Sequence, residues 1–110
     1  GTEYETLACE YLIRHGYQIL CRNFRCRQGE IDIIARDRDY LVFIEVKYRH
    51  DEHEGDPAEA VDARKQARIL RTARYYMTRY HISEDTPCRF DVVAVLGSNV
   101  RLIRDAFWCG

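Results

Sequence analysis

The sequence predicts an α/β domain, a mixed sheet with helices packed on it. Three observations carry that expectation. Apolar residues recur at three- and four-residue spacing in two segments. They run as short, β-branched stretches in five others, and the two kinds follow one another as α-β-β-β-α-β-β.

The first helix is expected over Thr2 to His15, where Tyr4, Leu7, Ala8, Tyr11 and Leu12 line one face. Thr2 with Glu5 three residues on has the capping-box pattern, and Gly16 suits the position just past a helix end. Tyr17 to Phe24 reads as a strand. Ile31–Ala35 and Leu41–Lys47, divided by the polar Arg36-Asp37-Arg38-Asp39, read as a hairpin. His50 to Pro57 is an acidic surface loop. A long helix is expected over Ala58 to Tyr80, with Val61, Ile69, Ala73, Tyr76 and Met77 facing a core. Tyr75, Tyr76 and Tyr80 are read as core aromatics. Phe90 to Leu96 is a strand, Gly97-Ser98-Asn99 a turn, and Val100 to Ile103 the returning partner.

The 110 residues, 46% of them hydrophobic, suffice for one domain over 1–110 with one core. No apolar run approaches a membrane span and none reads as a signal peptide; the chain opens on Gly1. Five cysteines, Cys9, Cys21, Cys26, Cys88 and Cys109, form no CxxC pair, which points to reduced thiols in a cytoplasmic protein. The net charge of −1 hides an acidic stretch, residues 50–60, beside a basic one, residues 61–81.

Charged residues inside the hairpin's apolar runs need a reason, since buried carboxylates and ammoniums are rare unless paired or metal-bound. Glu45 and Lys47, two apart on a strand, share a face. Asp32 joins them only if the numbers of paired residues add to an odd sum, which sets it opposite Phe43 or Glu45; an even sum turns it away. Two carboxylates that close call for a cation, and Mg²⁺ or Mn²⁺ takes oxygen ligands of this kind. Such an ion polarises a phosphodiester and acidifies a bound water, while a neighbouring lysine orients the water or stabilises developing charge. An ExK triplet on a strand is ordinarily a solvated ion pair. The apolar setting and the upstream acid favour a site for phosphodiester hydrolysis.

Asp32 followed by Glu45-Val46-Lys47 resembles the PD-(D/E)XK nuclease signature, with Ile31 at the proline position. The chain as a whole is similar to the bacterial YraN family of endonuclease-like proteins. The matching residues include Glu5 and Ala8, Gly16-Tyr17, Asn23 with Arg25, Gly29-Glu30-Ile31-Asp32, Phe43 to Lys47 with Arg49, Glu59-Ala60-Val61, Lys65, Arg89 to Val93 and Ala106-Phe107. The resemblance implies a restriction-endonuclease-like fold, a mixed central sheet flanked by helices, related to Holliday-junction resolvases. It implies Glu5 as a helical acid near the metal and Lys65 nearest the scissile phosphate. Val46 would offer its carbonyl to the ion. A resolvase-like activity would favour a homodimer.

Arg64, Arg68 and Arg71 form a single helical stripe with Lys65 alongside, a pattern that contacts phosphates. Arg49 shares the Glu45 face and is a candidate phosphate clamp. Glu30 is either a supporting acid or an exposed strand end, and Asp91 is a structural acid near a strand start. His50 and His53 in the acidic loop are weak candidates for a second metal. The expected function is a Mg²⁺-dependent DNA endonuclease acting on branched DNA; the alternative is a nucleic-acid-binding module that keeps the fold without turnover.

Overall fold

The computed structural model describes residues 2–49 and 61–107. The acidic loop with His50 and His53, residues 58–60 of the expected second helix, Cys109 and the Thr2 side chain of the capping box lie outside the described residues. Seven elements follow in the expected order: α1 (Thr2–Arg14), β1 (Gln18–Cys26), β2 (Gly29–Asp37), β3 (Tyr40–Arg49), α2 (Ala63–Arg79), β4 (Cys88–Leu96) and β5 (Asn99–Ile103). The sheet runs β1-β2-β3-β4-β5. Its pairs are antiparallel except β3 with β4, which α2 connects as a parallel crossover.

Both helix ends are chain-encoded. Glu3 and Glu5 occupy the first turn of α1 and Arg14 the last, complementing the helix dipole. Gly16, at φ +90°, closes it: Gly16 N–H donates to the Ile13 carbonyl (3.1 Å) and Tyr17 N–H to that of Leu12 (2.9 Å), a Schellman motif. The second helix starts at Ala63, later than the apolar spacing suggests, because Asp62 caps it by accepting the Lys65 amide at 2.9 Å. Val61 is buried, but ahead of the helix. His81, at φ +55°, ends α2 with the same pair of bonds as Gly16, from its own N–H to Thr78 and from Ile82 N–H to Met77.

The two helices cover opposite faces. Ala8, Cys9 and Leu12 of α1 pack on Ile33, Ala35, Val42, Ile44 and Val93. Ile69, Ala73 and Tyr76 of α2 pack on Ile31, Ile34, Leu41, Phe43, Phe90 and Val92. Strands β3 and β4 are buried on both faces, which is why they read as unbroken apolar runs. Each fully buried Leu, Ile or Phe contributes about 1.5–3 kcal/mol, so these layers hold the sheet in place. No helix among the described residues is long and apolar enough to cross a membrane.

At one end of the α1 side, Asp91 is fully buried. It accepts Tyr17 Oη–H (2.9 Å), two Arg89 N–H groups (2.9 Å each) and the Asp105 amide (2.9 Å). Arg89 also reaches Asp37 at 2.8 Å. Every charge there is compensated, and Asp91 is a structural acid.

Candidate functional site

The hairpin register decides what the acids meet. Residues pair Ile33 with Ile44, Ile34 with Phe43 and so on to Asp37 with Tyr40, an odd sum throughout, closed by the two-residue turn Arg38-Asp39 with Arg38 at φ +58°. Continued by one residue, that register would set Asp32 opposite Glu45. The ladder instead ends at Ile33 and Ile44.

Strand alternation also breaks at Asp32. Ile31 and Ile33, two apart, should share a face, yet Ile31 belongs to the α2-side core and Ile33 to the α1-side core. Across β1 from Asp32, Asn23 sits at φ +55° between the pairs Arg22–Ile33 and Phe24–Ile31. Parity alone therefore does not place the Asp32 carboxylate, contrary to the face-sharing argument. It stands where β2 and β3 part, and Oδ2 accepts the Val46 amide proton at 2.8 Å. In an antiparallel pair a residue's N–H and C=O turn toward the same neighbour, so the Val46 carbonyl faces this gap too.

Asp32 shares a cleft of about 210 Å³ with Tyr4, Glu5, Val46 and Tyr48. Tyr4 and Tyr48 stack there with centroids 4.1 Å apart. Glu5 Oε1 is buried with no hydrogen-bond partner among the described residues. Burial, then the neighbouring Glu45 charge, raise the Asp32 pKa to about 6; the Val46 bond works against them, and Glu5 and Glu30 add to the rise.

Glu45 opens the other way, into a groove of about 730 Å³ lined by Arg25, Arg64, Lys65 and Arg68. Its side chain is 11% exposed, and Oε1 is held by Lys65 Nζ at 2.8 Å and Lys47 Nζ at 3.2 Å. Burial and the adjacent Lys65 ammonium hold Lys47 below the usual lysine range, against the pull of Glu45. Burial also opposes the charge on Lys65, but hydrogen bonding to Glu45 outweighs it and the Lys65 pKa is raised.

The structure therefore brings Glu45, Lys47 and Lys65 into direct contact, with Asp32 and Val46 beside them in the strand gap. Glu5 faces Asp32 across the cleft, but no three His, Cys, Asp or Glu side chains cluster to hold a metal among the described residues. Arg64 and Arg68 lie in the groove. Arg49 turns to the backbone, donating from Nη1 to the Tyr48 carbonyl at 3.3 Å. Glu30 is an exposed strand residue paired with Arg25 at 2.9 Å. Of the tyrosines read as core, Tyr76 is buried whereas Tyr75 and Tyr80 are exposed.

The sequence reading named Arg25 and Gly29 only as residues matching the family and gave neither a place in the site. Gly29, at φ +146°, is where α2 crosses the β1–β2 turn, and a Cβ there would lie 2.8 Å from Arg68 Cγ. The signal for Gly29 was a glycine ahead of an apolar run; Arg25 had only the resemblance, since its place in the groove depends on α2.

The donors in the gap, the Asp32 carboxylate and the Val46 main-chain carbonyl, are oxygens, as is the Glu45 carboxylate on the groove side, and oxygens suit a hard cation such as Mg²⁺ or Mn²⁺ with water completing its shell. The unpartnered Glu5 Oε1 is a further oxygen on the same cleft. In donor chemistry, though not as a three-carboxylate cluster, these residues match such an ion.

The family model for the uncharacterised protein family UPF0102 matches residues 4–95. A UPF0102 protein of Lachnoclostridium phytofermentans is 55% identical over 107 residues, covering 97% of this chain and 91% of that protein. One from Nitrosococcus oceani is 43% identical, covering 97% and 90%, and one from Clostridium botulinum 47%, covering 97% and 92%.

Proposed function

The chain belongs to the UPF0102 family, and we propose that it is a divalent-metal-dependent DNA endonuclease of the restriction-endonuclease-like, PD-(D/E)XK type. One observation carries the reading: Asp32 stands at the open end of the β2–β3 ladder, beside a Glu45 whose Oε1 is gripped by Lys47 and Lys65. Asp32, Glu45 and the Val46 carbonyl would hold the ion. Bound there, it supplies charge neutralisation at a phosphate oxygen and a water of lowered pKa. Lys47, held below the usual lysine range beside Glu45, is placed to orient the attacking water and take up developing negative charge. Lys65, on the groove side of Glu45, receives the phosphate, and Arg64, Arg68 and Arg25 hold the flanking backbone. Glu5 orients water on the Asp32 side. The resemblance to resolvases, drawn from the sequence motif alone, favours branched DNA and a homodimer presenting two sites to two strands.

Cleavage of flapped and four-way DNA with Mg²⁺ or Mn²⁺ tests the reading. Wild type should cut, and Glu45→Gln, Lys47→Ala and Asp32→Asn should each lose at least a hundred-fold in rate, the scale of a lost transition-state contact. Equal cleavage by all four proteins would overturn it.

A second reading is favoured by one observation. The two ammoniums already neutralise Glu45 without any metal. On that reading the protein is a non-catalytic nucleic-acid-binding module. Binding with a steep salt slope, indifferent to divalent ions and without cleavage, would support it.

A further inference from the structure

Two aromatic side chains beside the groove are accounted for by the core. Phe24 packs edge-on against Tyr76, centroids 5.2 Å apart at 86°, and Tyr76 is 8% exposed. Tyr75 is not. It is 45% exposed, and its ring lies 6.2 Å from Phe24, tilted by 37°. On α2 it follows Arg64, Arg68 and Arg71 at spacings of four, three and four, so it continues their exposed stripe. Phe24 adjoins Arg25, which lines the groove with Arg64 and Arg68. An apolar ring of this size gains little from water, and here it stands at the end of a row of guanidiniums.

That combination has a specific chemistry. Guanidiniums along a groove take phosphates of any sequence, and an aromatic face beside them stacks a base only when that base is free of its duplex neighbours. Tyr75 lies ten residues beyond Lys65, about 15 Å along the helix axis at 1.5 Å per residue. This is about four nucleotides at the 3.4 Å spacing of a stacked strand. We propose that Tyr75, backed by Phe24, is a stacking platform for an unpaired DNA base, so that the groove takes a strand that is single-stranded about four nucleotides from the Glu45–Lys65 pair. The assignment rests on the nuclease reading for what happens at Glu45. The stacking itself requires no turnover and is tested without it. Phe24, itself held edge-on by the buried Tyr76, lies against the Tyr75 ring, which limits the ordering that stacking costs.

The test uses the full chain without divalent ions and a single-stranded DNA of about a dozen nucleotides. 2-Aminopurine is moved through successive positions, and affinity is read by anisotropy. Wild type and Tyr75→Phe should quench the fluorophore at one or two neighbouring positions. Tyr75→Ala should lose the quench and bind the single strand roughly ten-fold more weakly, with duplex affinity and thermal melting unchanged. Quenching and affinity unaltered by Tyr75→Ala would overturn the platform, as would an equal loss on duplex. Position-specific quenching by a protein that cuts nothing would support the platform while removing the nuclease reading. Failure to bind any DNA would end both.

Discussion

The Asp32 carboxylate accepts the Val46 amide proton at 2.8 Å just beyond the last Ile33–Ile44 pair. A side chain thus takes the hydrogen-bonding place that a continuing β2 backbone would have filled. This satisfies Val46 N–H while leaving β2 and β3 apart, with a carboxylate and a carbonyl turned into the gap. A regular ladder would have closed that space.

Asp32 should weaken the metal-free fold at neutral pH. Its pKa rises from 3.8 in the unfolded chain to about 6 in the native one. Between those values the native state binds more protons, so stability falls as pH rises and the penalty levels off above pH 6. The full penalty is about 3 kcal/mol at the usual 1.4 kcal/mol per pH unit. Asp32→Asn keeps an acceptor for Val46 and removes the charge. Without divalent ions it should be the more stable protein at pH 8, and its advantage should shrink by about 1–1.5 kcal/mol at pH 5. Denaturant melts at both pH values check this; an Asn variant less stable at pH 8 would contradict it.

The Arg89–Asp91 pair should behave as a structural core. Arg89→Met leaves a fully buried carboxylate with Tyr17 and the Asp105 amide as its partners. A loss of about 3–5 kcal/mol is expected. Tyr17→Phe, which removes one hydroxyl from the same network, should cost about 1–2 kcal/mol. Both are read from urea midpoints. Neither substitution should alter DNA affinity under conditions where the variant is folded.

His81→Gly should stabilise the protein. The residue holds φ +55° in the Schellman motif that ends α2, a conformation that costs a side-chain-bearing residue about 1–2 kcal/mol and glycine almost nothing. A gain of about 0.5–1 kcal/mol is expected after the extra entropy of glycine in the unfolded chain. Thermal melts of the two proteins decide it.

Gly29→Ala should damage stability and DNA binding together. Its Cβ would meet Arg68 Cγ at 2.8 Å and Thr72 Oγ1 at 3.1 Å, on a backbone at φ +146° that alanine resists. A cost of about 1–3 kcal/mol is expected. Arg68→Ala, by contrast, should leave stability nearly unchanged and reduce the slope of log K against log salt by about 1. Salt titrations of DNA binding separate the two effects.

Much of this architecture is written in local pattern. The seven elements and their order follow from three-to-four-residue and two-residue periodicities, because each strand or helix must bury one stripe of its own side chains. Gly16 marks the end of α1 for a reason internal to the chain; Asp62 caps the start of α2 in the same local way, although apolar spacing put that start at Ala58. The odd register of the hairpin follows once the turn is Arg38-Asp39. The type of residue needed for an oxygen-donor site, Asp32 and Glu45 with Lys47, was equally visible, since charge inside an apolar run is costly without a partner.

Three things had to wait for the packed molecule. Asp32 departs from strand alternation where Asn23 stands opposite it at φ +55°, and the backbone of a neighbouring strand leaves no trace in β2's own period. Lys65 reaches Glu45 only because the β3–α2–β4 crossover lays α2 over the sheet, joining residues twenty positions apart. Tyr75 and Tyr76, adjacent and alike in sequence, part company for the same reason: the sheet covers one side of α2, and a turn of about 100° per residue puts the second ring under it and the first in water beside the arginines. Local spacing chooses the elements, whereas contacts between elements choose which charges and rings come together.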